Sequence, residues 1–380
     1  MRNLFAVICL GVIVAACGPA SEVPKSSGEK VYEATANAIL VLDSKDHVVS
    51  RSLPLGAPSP DWRHLYSILG DSLIDTNPLT AVTQNTLRVG AGYGLPLATN
   101  TGLPGGLSPA ARWLVLQRHE SAATHMLLID TRTLKVADAI DLAGRFNFDA
   151  VSEDGLRLYL IQYLNGKEYF VRLFNIPTNS LDDNIVVDKS DGNQAMAGVR
   201  LSGIATPDGS SLFSLYVRER ESPFVHALSL MGPFAFCLDL PGGGYARWSL
   251  AMNRAGDRVY AVGGADGVVA VVDSNQMQVL RSVPVRAGLD VAVLSSDGSM
   301  LLAGGTSGLA WIDTSSLSVQ KTSLTEWHVS SLALSPDGGT LFAVDDAGRV
   351  AQVAMATGAV TATFDPRAGR PIALMRVAAA

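Results

Sequence analysis

Seven times along this chain an apolar run, a four-residue turn and a second apolar run follow one another. The clearest copy is Leu332-Ala333-Leu334-Ser335-Pro336-Asp337-Gly338-Gly339-Thr340-Leu341-Phe342-Ala343-Val344. The turns are Ser59-Pro60-Asp61-Trp62, Ser108-Pro109-Ala110-Ala111, Ser152-Glu153-Asp154-Gly155, Thr206-Pro207-Asp208-Gly209, Asn253-Arg254-Ala255-Gly256, Ser295-Ser296-Asp297-Gly298 and Ser335-Pro336-Asp337-Gly338. They lie 49, 44, 54, 47, 42 and 40 residues apart, the period expected when each repeat is one four-stranded propeller blade.

The turn chemistry explains the recurrence. Pro sets φ at the first turn position, Asp bonds back to nearby backbone N–H groups, and Gly accepts the positive φ that closes the turn. The runs that follow, such as Arg258-Val259-Tyr260-Ala261-Val262, are rich in the β-branched and aromatic residues that suit a pleated, half-buried surface. One such hairpin is too small to be stable alone, so the apolar faces must be covered by stacking blade on blade.

Composition fits one large all-β body. Of 380 residues 48% are apolar and only 17% charged, with 36 Gly and 18 Pro, and no stretch after residue 20 sustains a helical period. A ring of small sheets stays one domain at a length that would otherwise predict two or more. The formal charge of −6 without a block of like charges disfavours nucleic acid as a partner.

The two ends of the chain read as halves of one blade. Val31 to Ala36, Ala38 to Asp43 and His47 to Leu53 align with the second, third and fourth strands of the repeat at 259–283, and no first strand precedes them. Arg367-Ala368-Gly369-Arg370-Pro371-Ile372-Ala373-Leu374-Met375 matches Arg286-Ala287-Gly288-Leu289-Asp290-Val291-Ala292-Val293-Leu294, the start of a blade, shortly before the sequence ends. A carboxyl-terminal strand that completes the amino-terminal blade would remove the open sheet edges of an unclosed ring. With the seven turn-marked repeats this makes eight blades. Seven is the alternative if the weak segment 53–89 forms no blade of its own.

Met1-Arg2-Asn3 precedes a 13-residue apolar run, Leu4 to Ala16, too short to span a bilayer and flanked as a secretory signal is. Val14-Ala15-Ala16-Cys17 resembles the lipobox of bacterial lipoproteins, which implies cleavage before Cys17 and acylation of its thiol. An ordinary secretory signal ending near Ala20 is the alternative. The expected organisation is a signal segment at 1–16, a flexible polar tether at 17–29, and a propeller at 30–380 held to the membrane of the bacterial cell envelope and facing the periplasm or exterior. Cys9 lies in the signal and Cys17 takes the lipid, so Cys237 has no disulfide partner and reads as a buried, inert thiol. Nothing suggests more than a monomer.

A second element recurs at Leu42-Asp43-Ser44, Ile74-Asp75-Thr76, Ile129-Asp130-Thr131, Val272-Asp273-Ser274 and Ile312-Asp313-Thr314. It ends a third strand, where the Asp or hydroxyl side chain can cap the turn into the fourth. Together with Ser-Pro-Asp-Gly it resembles the YVTN and YncE-like propeller repeats of bacterial surface and periplasmic proteins, over residues 30 to 377. The resemblance implies a fold rather than a function, because this architecture serves binding, redox and hydrolytic proteins alike.

Motifs of strong mechanistic meaning are absent: no HExxH, CxxC, GxSxG or GxxxxGK occurs. Gly90-Ala91-Gly92-Tyr93-Gly94 reads as a loop between blades. His119 and His125 flank a hairpin connection, where a His₂Glu metal site would be poorly enclosed. Asn147, Asp149 and Asp290 are the candidates for channel-facing ligands of the kind that lactonase-like propellers use. Neither metal nor cofactor is therefore expected, and the reading is a binding scaffold for an unknown protein or an anionic small molecule; an extracytoplasmic enzyme of the metal-dependent lactonase or quinoprotein sort is the alternative. The candidate site lies where chain enters the first strands, at one mouth of the channel. Arg145, Arg200, Arg247, His328 and Arg370 occupy nearly equivalent places there, with Phe146, Trp248 and Trp327 beside them. Cations gathered in an acidic protein would focus a positive field on an anion, with aromatic walls; pairing of each with a nearby carboxylate is the plainer reading.

Overall fold

The computed structural model describes residues 28–165, 168–188, 194–367 and 369–379. The signal segment 1–16, Cys17, the tether as far as residue 27, and residues 189–193 of the polar insert before the fifth blade lie outside the described residues. Eight sheets stand in a ring, and the inner strands of successive blades abut around it. The weak segment does form a blade, so the number is eight.

Blade 1 joins the two ends of the chain. Its strands run in the order Val48–Pro54, Ala38–Asp43, Lys30–Ala34 and Ala373–Ala378. The last of these pairs antiparallel with Lys30–Ala34, Val31 opposite Val377 and Ala34 opposite Ala373. The regular strand begins at Ala373, six residues after the sequence match begins, because Pro371 lacks a donor and cannot extend a ladder on both sides. Contacts to both neighbours lock the closure. Leu374 N donates to Ser331 Oγ in blade 8 at 2.9 Å, while the turn residue Trp62 of blade 2 packs on Tyr32 at 5.0 Å and beneath Arg376 at 5.4 Å.

Blade 2 follows with Ala57–Pro58, Leu65–Leu69, Ser72–Asn77 and Val82–Arg88. Blade 3 has three regular strands, Trp113–His119, Ala123–Asp130 and Lys135–Ala143. Its inner position is held by the chain near Gly106, whose carbonyl accepts from Val115 N at 2.9 Å. Pro104, Gly105 and Gly106 explain the irregularity, since Pro donates nothing to a ladder and Gly weakens one. Blades 4 and 5 have inner strands Phe146–Val151 and Val199–Ala205. Blades 6, 7 and 8 have inner strands Trp248–Met252, Val291–Leu294 and Val329–Leu334.

All seven marker turns close alike. The fourth residue donates to the carbonyl of the first, from Trp62 N→Ser59 O to Gly338 N→Ser335 O, both 2.9 Å. The first side chain then caps the next strand, as Ser335 Oγ accepts from Thr340 N at 2.8 Å and donates to Asp337 at 2.6 Å. The fourth residue has a left-handed φ in every copy, including Trp62 at 58° and Ala111 at 60°. The second element behaves as expected in most blades: Asp313 Oδ1 accepts from Ser315 N and Ser316 N at 3.1 and 2.7 Å. In blade 2 the cap shifts to Asn77, which accepts from Leu79 N at 2.9 Å. Asp75 is instead buried and meets His64 Nδ1 at 3.0 Å.

Among the described residues the core is distributed over eight clusters, one between each pair of neighbouring blades. Each blade thus covers the apolar faces of two others, which is why no blade is stable apart from the ring. Cys237 sits on Phe234–Asp239, whose outer edge is covered by Val187–Asp188 only at Phe234 and Ala235, and it is half-buried rather than buried.

Candidate functional site

The candidate cations stand at or just before the inner strands of their blades, and the structure separates them into two groups. Three have carboxylate partners. Arg200 of blade 5 donates from Nη1 to Asp149 of blade 4 at 2.9 Å. Arg247 of blade 6 meets Asp290 of blade 7 at 3.5 Å. His328 Nδ1 lies 2.5 Å from Asp346 within blade 8. The first two pairs cross from blade to blade and act as latches around the channel. Asp290 is held above the usual carboxylate range by burial, an effect opposed by Arg247 and His328.

Arg145 and Arg370 form the other group: both are exposed, and among the described residues neither makes an ion pair. Arg145 borders an open polar basin of about 760 Å³ with His119, Glu120, Ser121, Asn147, Tyr163 and Leu164. Its loop is fixed by Tyr163 N donating to the Arg145 carbonyl at 3.2 Å, and Asn147 Nδ2 donates to Tyr163 Oη at 3.2 Å. Burial and then the Arg145 charge hold the His119 imidazole below its ordinary range, so near neutrality it is an uncharged donor and acceptor. Glu120, the one carboxylate among the described residues that line the basin, already faces Arg118 at 3.4 Å and His125 at 3.3 Å.

The aromatic neighbours are less open than their positions in the sequence suggested. Phe146 and Trp248 are buried between blades and present no wall to the mouth. Trp327 is half-buried under the Arg349 guanidinium, 4.7 Å from its ring. The two histidines that flank the 119–125 hairpin do not face each other. Arg118 is opposite His125 and Thr124 opposite His119, and His125 Nδ1 meets Asp141 at 2.5 Å. Among the described residues no group of three or more His, Cys, Asp and Glu side chains is placed to hold a metal ion.

Deeper in the channel, a second cavity of about 210 Å³ lies among the inner strands of blades 2, 4 and 5 and the segment 97–107. Sequence reasoning missed it for two reasons. Residues 95–107 carry no strand pattern, yet they fold back on themselves through Ala98 N→Leu103 O at 2.8 Å and Gly105 N→Pro96 O at 2.7 Å. They then reach across to blade 5 through Asn100 N→Arg200 O at 3.3 Å. Asp149 itself sits at a β-bulge between Phe148 and Ala150, and a bulge re-aims a side chain against the period-2 rule. Asp149 and Arg200, which both line the cavity, were legible as separate candidates, and the Pro104-Gly105-Gly106 run was the signal for the segment that joins them.

No protein-family model matches the chain, and no curated protein matches it in sequence. Solved structures do. The dihydro-heme d1 dehydrogenase NirN in complex with DHE superimposes with a TM-score of 0.58 at 14% identity, over 94% of this chain and 76% of that one. A eukaryotic initiation factor gives 0.52 at 14% identity, over 88% and 95%. At such identity the shared property is the fold. The molecule is an eight-bladed β-propeller.

Proposed function

We propose that this chain is an envelope lipoprotein of the YVTN/YncE-like kind, tethered through Cys17, whose propeller is a scaffold that binds an anionic ligand or an acidic patch on a partner at the Arg145 basin. One observation carries the reading: Arg145 stands exposed on an open polar basin and, among the described residues, without an ion pair, while Arg200, Arg247 and His328 each face a carboxylate. An exposed guanidinium beside a neutral His119, Asn147 and the Tyr163 hydroxyl offers forked and single donors to a carboxylate or phosphate. The sequence-equivalent Arg370 adds positive charge at the same mouth.

The test is a panel of phosphate, citrate and benzoate titrated at low ionic strength against wild type and Arg145→Met. At least one anion should raise the melting temperature of wild type, lose its effect as salt is added, and bind the variant about tenfold more weakly or worse. No anion binding, or equal binding to both proteins, would contradict the assignment. The tether is tested separately by feeding cells an alkynyl fatty acid: wild type should be labelled and Cys17→Ser should not, and equal labelling of the two would refute lipidation.

A further inference from the structure

The Arg145 basin offers hydrogen-bond acceptors as well as donors. Thr124 Oγ1 donates to the Gly144 carbonyl at 2.9 Å and accepts from Phe146 N at 3.0 Å. Its remaining lone pair faces His119 Nδ1 at 3.5 Å, so the neutral imidazole carries its proton on Nδ1 and leaves Nε2 as an acceptor. Asn147 uses one amide N–H on Tyr163 Oη. The Tyr163 hydroxyl thereby keeps its own proton to donate, and the Asn147 amide oxygen stands as a second acceptor. Among the described residues neither His119 Nε2 nor Asn147 Oδ1 has a hydrogen-bond partner. Both belong to side chains that line the open basin, His119 exposed and Asn147 partly so.

This mixture narrows the anion. A bare carboxylate accepts at both oxygens, so it satisfies Arg145 and leaves the two acceptors to water. An ammonium group would donate to them, but Glu120 is already met by Arg118 and His125, and the charge of Arg145 opposes a cation. Tyr163 and Leu164, 41% and 46% exposed, add apolar surface to the same wall. At about 760 Å³ the basin has room for several such groups at once.

Resting on the reading of this basin as an anion site, we propose that its occupant is the carboxyl-terminal end of a partner polypeptide. The terminal carboxylate pairs with Arg145. A backbone N–H behind it donates to His119 Nε2 or Asn147 Oδ1, a backbone carbonyl accepts from the Tyr163 hydroxyl, and an apolar last side chain lies on Tyr163 and Leu164. A peptide supplies neutral donors, acceptors and apolar carbon together, whereas a hydroxylated acid such as gluconate leaves the apolar wall uncovered.

The experiment is calorimetric titration of the intact folded protein at low ionic strength. Its probes are acetyl-Gly-Ala-Leu, the carboxyl-terminal amide of that peptide, gluconate, and 4-methylpentanoate, which keeps the charge and the leucine side chain but has no amide. The free-acid peptide should bind about tenfold or more tightly than each of the others. Arg145→Met should erase the difference between the peptide and its amide, and His119→Phe/Asn147→Leu should bring the peptide down to the level of 4-methylpentanoate. Equal binding of the peptide and 4-methylpentanoate to wild type would overturn the peptide assignment and leave the anion site standing. Tighter binding of gluconate would do the same in favour of a hydroxylated acid. Equal binding of the peptide and its amide, or no binding of the peptide, would overturn the proposal outright, and the response to phosphate, citrate and benzoate then decides separately whether the anion reading falls with it.

Discussion

Glu33 is wholly buried in blade 1, and neither of its carboxylate oxygens meets a donor. Burial pushes its carboxyl from the ordinary value of 4.5 up to about 7. Because the folded value lies above the unfolded one, the folded state holds this proton more tightly. The associated stability is therefore fully present below pH 4.5 and is lost as pH rises through 7. A shift of this size corresponds to about 3 kcal/mol. Urea unfolding of wild type should accordingly weaken by up to that amount between pH 5 and 8, while Glu33→Gln should be nearly flat over the same range. Equal slopes for the two proteins would show that Glu33 is not the group responsible. The acids of the turns act oppositely: hydrogen bonds from Ser295 and Ser299 hold the Asp297 carboxyl down at about 2, so its contribution fades only as pH falls from about 4 toward 2.

At the scale of the element, the turn between the first and second strands does the same work in seven blades, but its glycines are not equally constrained. Gly298 has φ +73° with nothing within 4 Å of where a Cβ would stand, whereas at Gly155, φ +70°, a Cβ would lie 2.4 Å from the Trp113 indole. Gly298→Ala should therefore cost only the left-handed penalty of about 1–2 kcal/mol. Gly155→Ala should cost that penalty plus the displacement of Trp113, an overpacking term of about 1–3 kcal/mol. Chemical denaturation of the two variants checks the order, and equal losses would contradict it. The same elements mark how far the sequence could be read. Turns and strand periods are local, so Ser-Pro-Asp-Gly and the capping Asp residues announced seven repeats, while the choice between eight blades and seven hung on the match between the chain ends and on the weak segment 53–89, which the structure decided for eight. Ion-pair partners are not local: Asp149 lies 51 residues from Arg200, at a bulge that no alternation rule foretells. Phe146 and Trp248 were legible as aromatic neighbours of the cations, but whether they faced the mouth or the next blade depended on strand twist and packing. The inward segment 95–107 was illegible because Pro and Gly say only that a regular strand is disfavoured, and not where the chain goes instead.

Over the whole molecule, stability rests on closure, because eight cores between blades hold only if the ring has no open seam. The seam lies where Ala373–Ala378 meets Lys30–Ala34. Leu374 and Val377 from that strand are buried against blade 8, and Ala378 toward blade 2. Gln352 Nε2 of blade 8 donates to the Ser44 carbonyl of blade 1 at 2.7 Å, a further tie across the seam. Burial of Leu374 and Val377 is worth about 1.5–3 kcal/mol each. Losing them, together with a full row of ladder hydrogen bonds, approaches the roughly 5–15 kcal/mol that stabilises a typical domain. It would also leave Lys30–Ala34 as an unpaired edge prone to association. The decisive measurement is the thermal unfolding of the soluble propeller with and without residues 373–380. A closed ring predicts that the truncated protein melts far lower and aggregates, and that adding the missing strand back as a peptide restores part of the loss. An unchanged melting temperature after truncation would contradict closure through this strand.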